Sequence, residues 1–201
     1  MFSRRRLVFI LILMALLYFP GSSSRAQKTF ADGGPPPSEE ELLRKADEDI
    51  QLLKQNLVRN RTDVLKRAEK LLKDILRLYP DTPHHGWVED NLAQVQENLA
   101  EHNLLVANFY VNRAARAGAA KGAQSRLLEI VREYPNFSRM DEVLFFLGEV
   151  SLIDGRSEDA SGYFWKLVCK YPASQRVGDA FVQLNLIGFD ASKGCDNSNR
   201  K

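Results

Sequence analysis

A chain of 201 residues, with 44% hydrophobic and 27% charged residues, has ordinary globular composition and room for one compact domain or one repeat array. Its formal charge of +2 sits at the N-terminus: without Arg4, Arg5, Arg6 and Arg25, the 28 basic residues fall to 24 against 26 acidic ones. That balance excludes a globally basic nucleic-acid binder, and no nucleic-acid partner is expected.

In chain order, Arg4, Arg5 and Arg6 precede the apolar run LVFILILMALLYF at 7–19, then Pro20-Gly21 and Ser24-Arg25-Ala26. The run is shorter than the roughly 20 residues that span a bilayer, so residues 1–26 are expected to be a cleaved export signal. Residues 27–37 form a Gly/Pro-rich linker. From Ser38 onward the apolar spacing is helical, and a domain over 38–189 is expected, followed by a disordered polar tail at 190–201. Ser38 and Glu41 make a capping box for a first helix carrying Leu42, Leu43, Ala46, Ile50 and Leu53. A second helix runs from about Thr62 to Tyr79. A long third runs from about Gly86 to Arg113, with Leu92, Val95, Leu99, His102, Val106 and Phe109 on one expected buried seam. A turn at Gly118–Gly122 opens a helix to Tyr134. Ser138, Ser157 and Ser174 are expected to start three more, ending near Asp154, Tyr171 and Phe189.

Three of these helices stop at the same dipeptide: Tyr79-Pro80, Tyr134-Pro135 and Tyr171-Pro172. Proline pushes the residue before it out of the αR region and ends the helix. Placing each proline at position 32 of a 34-residue helix-pair repeat gives a consistent register. Pro172 sets Leu144 at 4, Leu147 at 7, Gly148 at 8, Ala160 at 20, Phe164 at 24 and Leu167 at 27. Pro135 sets Ala123, Leu127 and Ile130 at the last three of these places, and Pro80 sets Ala68, Leu72 and Ile75 there, with Leu52 at 4. The expected fold is all-α: a tetratricopeptide helical-hairpin superhelix of about three repeats plus a capping helix. The spacing from Pro80 to Pro135 is 55 residues against 37 from Pro135 to Pro172, which lengthens the first helix of the middle repeat.

No nucleophile, base and orienting group converge, so no catalytic residue and no enzyme activity is expected. His84 and His85 are adjacent and far from His102, a poor metal set; no metal or cofactor is expected. GAAKG at 118–122 lacks the spacing of a phosphate loop. Cys169 lies in an apolar helical run and Cys195 in the polar tail, and they read as a buried small residue and a tail thiol in preference to a disulfide.

The stretch LAEHNLLVANFYVNRAARAGAAKGAQSRLLEIVREYPNFSRMDEVLFFLGE at 99–149 holds a VANFY core (Val106 to Tyr110), Arg113 and the Ser125-Arg126 pair. On these motifs, residues 62–183 resemble the C-terminal half of the BamD-like family, periplasmic tetratricopeptide lipoproteins of outer-membrane β-barrel assembly. The chain departs from the family in having fewer repeats, a longer turn before Gly122, and Ser22 where a lipid-bearing cysteine would stand; a lipid anchor is not expected. The resemblance implies a non-enzymatic scaffold, exported to the periplasm and peripheral on the inner face of the outer membrane. It further implies a protein partner, the POTRA region of the barrel-assembly channel protein, bound by Arg113 and Arg126. A generic periplasmic repeat protein of envelope or polysaccharide assembly is the alternative.

Overall fold

The three tyrosine–proline steps divide the chain as expected. The computed structural model describes residues 36–56, 59–113, 118–190 and 194–195; the expected export signal, linker residues 27–35 and tail residues 191–193 and 196–201 lie outside them. Among the described residues there are seven α-helices and no strand: α1 Glu39–Lys54, α2 Arg61–Leu78, α3 His85–Val111, α4 Ala119–Glu133, α5 Met140–Ile153, α6 Ser157–Lys170 and α7 Val177–Leu186. Consecutive helices pack on one another, giving the hairpins α1/α2, α3/α4 and α5/α6 with α7 last, and α3 also touches α5.

The second helix of each hairpin ends in the same way. Tyr79, Tyr134 and Tyr171 share φ −128° with ψ between 57° and 64°, outside the helical region, as the following proline demands. Their N–H groups still donate to Ile75, Ile130 and Leu167. In the next turn Thr82, Phe137 and Ser174 each donate N–H to the tyrosine carbonyl. The turn hydroxyls reach back to the first helix of the same hairpin: Thr82 donates to Glu39, Ser138 to Glu97 and Ser174 to Asp141. Ser138 and Ser174 thus stand in the turns and not at the caps, the Ser174 oxygen accepting from the Arg176 N–H at 3.1 Å. The helices after them start at Met140 and Val177, behind Arg139 and Arg176, later than the serines suggest.

Packing follows the repeat register where small residues set it. Ala68, Leu72 and Ile75 on α2, Ala123, Leu127 and Ile130 on α4, and Ala160, Phe164 and Leu167 on α6 are all 0% exposed. This is one ladder repeated three times at i, i+4 and i+7, and each rung needs the neighbouring helix to cover it. Leu147 and Gly148 complete it in the third hairpin, both buried on α5. A Cβ added at Gly148 would lie 2.5 Å from Cζ and 2.8 Å from Cδ1 of Phe164, so only glycine lets α5 and α6 approach this closely. The first hairpin breaks the register: α1 starts about ten residues before the place the Pro80 frame assigns it. There Leu42, Ala46, Ile50 and Leu53 are buried while Leu52 is 37% exposed.

The expected seam of α3 is rotated. Val88, Val95, Leu99, Ala100, Asn103, Leu104 and Ala107 are buried, whereas His102 faces solvent and Phe109 is 52% exposed. Ala100 and Ala107 carry too little apolar area to mark a stripe by hydropathy, yet their size is what permits close helix approach.

The two cysteines do not stay apart. The core of α6 is Ala160, Phe164, Leu167 and Val168, which leaves Cys169 half-buried at the edge. Beyond α7 the chain turns at Gly188 (φ 70°), Phe189 rests on Trp165 with ring centroids 5.3 Å apart, and Cys195 is bonded to Cys169 across a sequence separation of 26. The reading of a buried residue and a free tail thiol is thus corrected to a disulfide; closing such a loop contributes about 3 kcal/mol in the chain-entropy account.

Gly148→Ala is expected to destabilise the fold by about 1–2 kcal/mol despite alanine's better helix propensity, because the methyl group overpacks against a fully buried ring. Gly148→Leu should cost more, and Phe164→Leu should recover part of the loss in the Gly148→Ala background. Thermal melts of the four proteins check this; an unchanged melting temperature in Gly148→Ala would reject the close crossing.

Candidate partner-binding face

The C-terminal third of α3 turns apolar and cationic side chains outward. Leu105 is 58% and Phe109 52% exposed, one helical turn apart, and Arg113 follows at the same spacing just beyond the helix. The Arg113 guanidinium carbon lies 3.7 Å from the Phe109 ring centroid, and its Nη1 donates to the Phe109 carbonyl at 3.3 Å. One cation therefore covers the ring face and satisfies a carbonyl left open at the helix end. Phe109 meets Tyr110 edge-to-face at 5.7 Å. Tyr110 in turn lies against Gly122 of α4, its ring 3.5 Å from where a Cβ would be.

Arg126 comes from α4 and leans on α3. Its Nη1 donates to Oδ1 of the buried Asn103 at 3.4 Å and to Glu129 at 3.3 Å, and its side chain remains 44% exposed. The two arginines expected to bind a partner are both at the surface, yet they are not one cluster. Asn103 and Arg113 are ten residues apart in sequence, about 15 Å along the helix axis. Leu105 and Phe109 are the side chains that sequence reasoning missed: Phe109 was assigned to the buried seam and Leu105 to neither face. Placing the small residues Ala100 and Ala107 on the buried side would have turned both outward.

Arg139 donates to both oxygens of Glu101 on α3, at 2.6 and 2.8 Å, and to Glu142 on α5, at 2.9 and 2.8 Å. These hydrogen bonds hold the guanidinium pKa above its usual value, Glu142 contributing most. Burial pushes the Tyr134 phenol up to about 12, helped by Glu69, Glu129 and Glu133. Burial also pushes the Glu149 carboxyl above the usual range; Arg176 opposes the shift and Asp179 adds to it.

Among the described residues no group of three or more His, Cys, Asp or Glu side chains could hold a metal ion. His85 is half exposed beside Glu89 at 3.3 Å. A cleft of about 180 Å³ between α1, α2 and α3, with Ile50, Leu65 and Val95 in its wall and Arg61 and Asn98 at its rim, is small for an organic ligand. The exposed aromatic–leucine–arginine combination is the composition of protein interfaces.

The family model described as YfiO, outer membrane lipoprotein, matches residues 42–153, more than half of the chain. The chain belongs to this family. The match runs from α1 to the end of α5 and includes Leu105, Phe109, Arg113 and Arg126. Over 88 residues the chain is 26% identical to the outer membrane protein assembly factor BamD of Haemophilus influenzae, an alignment covering 44% of this chain and 32% of that protein. The chain thus spans about a third of the length of this curated relative. No helix among the described residues is long and apolar enough to cross a membrane.

Because the folded state holds the Glu149 proton more tightly than the unfolded chain does, stability falls as pH rises past the ordinary value of 4.5. Glu149→Gln should therefore raise the melting temperature at pH 7 by about 2 °C, and the difference should vanish below pH 4.5. By the same sign, Tyr134 should lower stability as pH rises from 10 to about 12, and a spectroscopic titration of tyrosinate should show late ionisation that Tyr134→Phe diminishes, with Tyr163 and Tyr171 also displaced upward by burial.

Proposed function

We propose that this protein is a non-enzymatic periplasmic scaffold of outer-membrane β-barrel assembly, which holds a protein partner against the end of α3 and the start of α4. The observation that carries this reading is the outward row Leu105, Phe109 and Arg113, lying inside the stretch that matches the family. A guanidinium stacked on an exposed ring gives a partner an apolar platform and a donor fork together, while Arg126 supplies a second cation. The expected partner is the POTRA region of the barrel-assembly channel protein, with acidic side chains facing the two arginines. The chain would then sit peripherally at the inner face of the outer membrane through that partner.

Phe109→Ala and Arg126→Glu should each weaken capture of the purified periplasmic region of the channel protein at least tenfold at low salt, and Arg113→Glu should do the same. Circular dichroism melts of the variants should match the parent within a few degrees, since the residues changed are at the surface. Undiminished capture by all three variants would reject the face; no capture by the parent chain would reject the partner.

A further inference from the structure

The last helix of the stack packs through few side chains, with Val177, Ile187 and Phe189 partly buried against the core around it. α7 is 10 residues long, shorter than an isolated helix sustains in water, and its fully buried side chains are Ala180 and Leu184. Phe181, Val182 and Leu186 on the same helix are 38%, 56% and 75% exposed. At its front α7 is tied by the turn hydroxyl of Ser174 to Asp141. Behind it, Phe189 lies on Trp165 and Cys195 is bonded to Cys169, one turn further along the same stripe of α6. Every residue of α7 therefore lies inside the loop that the disulfide closes.

We propose that the Cys169–Cys195 disulfide is a redox-operated clasp for the terminal helix: oxidised, it keeps α7 on the stack, and reduced, it lets α7 go while the three hairpins stay folded. The positions of the two sulfur atoms suit such exchange, because Cys195 is exposed and Cys169 half-buried, whereas the ladder residues Phe164 and Leu167 beside them are sealed. A thiol-based clasp needs a partner of matching chemistry, a dithiol–disulfide oxidoreductase. In the closing direction the Cys195 thiolate attacks the oxidant's disulfide, forming a mixed disulfide and releasing one oxidant thiolate. The Cys169 thiolate then attacks Cys195 Sγ and expels the second. Two protons and two electrons leave the chain, and the oxidant departs as its dithiol. A dithiol reductant runs the same steps backwards. The clasp is independent of the partner face on α3 and stands whether or not that face binds the barrel-assembly channel protein.

The full chain, oxidised or treated with dithiothreitol, and its Cys169→Ser/Cys195→Ser variant are compared by hydrogen exchange and limited proteolysis read by mass. Amides of residues 177–186 should exchange about tenfold faster in the reduced and doubly substituted proteins, and trypsin should cut after Lys170 and Arg176 correspondingly sooner. Protection over residues 61–168 should be unchanged. Equal protection of 177–186 in all three forms overturns the clasp. Loss of protection throughout 61–168 on reduction also overturns it, since the bond would then support the whole fold. Thiol trapping with a maleimide-bearing polymer on chain freshly exported by its host should find no free thiol; two free thiols would show that the clasp is never closed.

Discussion

Each hairpin is fixed to the next by the turn that follows its tyrosine–proline step. Proline ends the second helix at a set residue, and the turn hydroxyl, donating back to a carboxylate on the first helix, sets where the following helix begins. Arg139 reinforces the middle joint by binding Glu101 behind it and Glu142 ahead of it. With these starting points fixed, the alanine and glycine positions can bring the helices close enough to bury the ladder on α2, α4 and α6. A hairpin alone would leave that ladder half wet, so stacking is a requirement of the sequence.

This chain of dependence explains what could be read without coordinates. Prolines and small residues act locally and leave a mark at fixed spacing, so the all-α class, the three second helices and the nine ladder residues were legible from Ala68 to Leu167. The first helix was legible too, from the Ser38–Glu41 capping box and the spacing of Leu42, Ala46, Ile50 and Leu53; what failed there was the Pro80 repeat frame, which was carried ten residues too far and put Leu52 at a core position. The face of α3 was misjudged for a different reason. Hydropathy weighs Phe109 and Val106 above Ala100 and Ala107, while a helix touching three neighbours selects its buried side by how closely each can approach. Ser138 and Ser174 resemble helix caps, but each sits in the turn with its hydroxyl donating to a carboxylate of the preceding first helix, a partner absent from any local window, and the Ser174 oxygen accepts from the Arg176 N–H ahead of α7. The disulfide was missed because its partners meet only after the chain folds back over Trp165.

The candidate face was half visible. Arg113 and Arg126 were named on motif alone, and both are at the surface; what motif could not supply is that each is held by α3. Arg113 is held by the Phe109 ring and carbonyl, Arg126 by Asn103. Such tethering keeps a long side chain from wandering and reduces the ordering cost that a free surface arginine meets on binding.

The length of α3 has one more consequence. Its 27 residues extend about 40 Å, against about 22 Å for the 15 residues of α4. The N-terminal half lies against the first hairpin, with Gln96 bonded to Glu69 and Asn98 to Arg61, and the C-terminal half lies against α4 and α5. One unbroken rod therefore runs through two hairpins that would otherwise meet only at a joint. Phe109 and Asn98 thus stand on one rod, about 16 Å apart along its axis, with no turn between them.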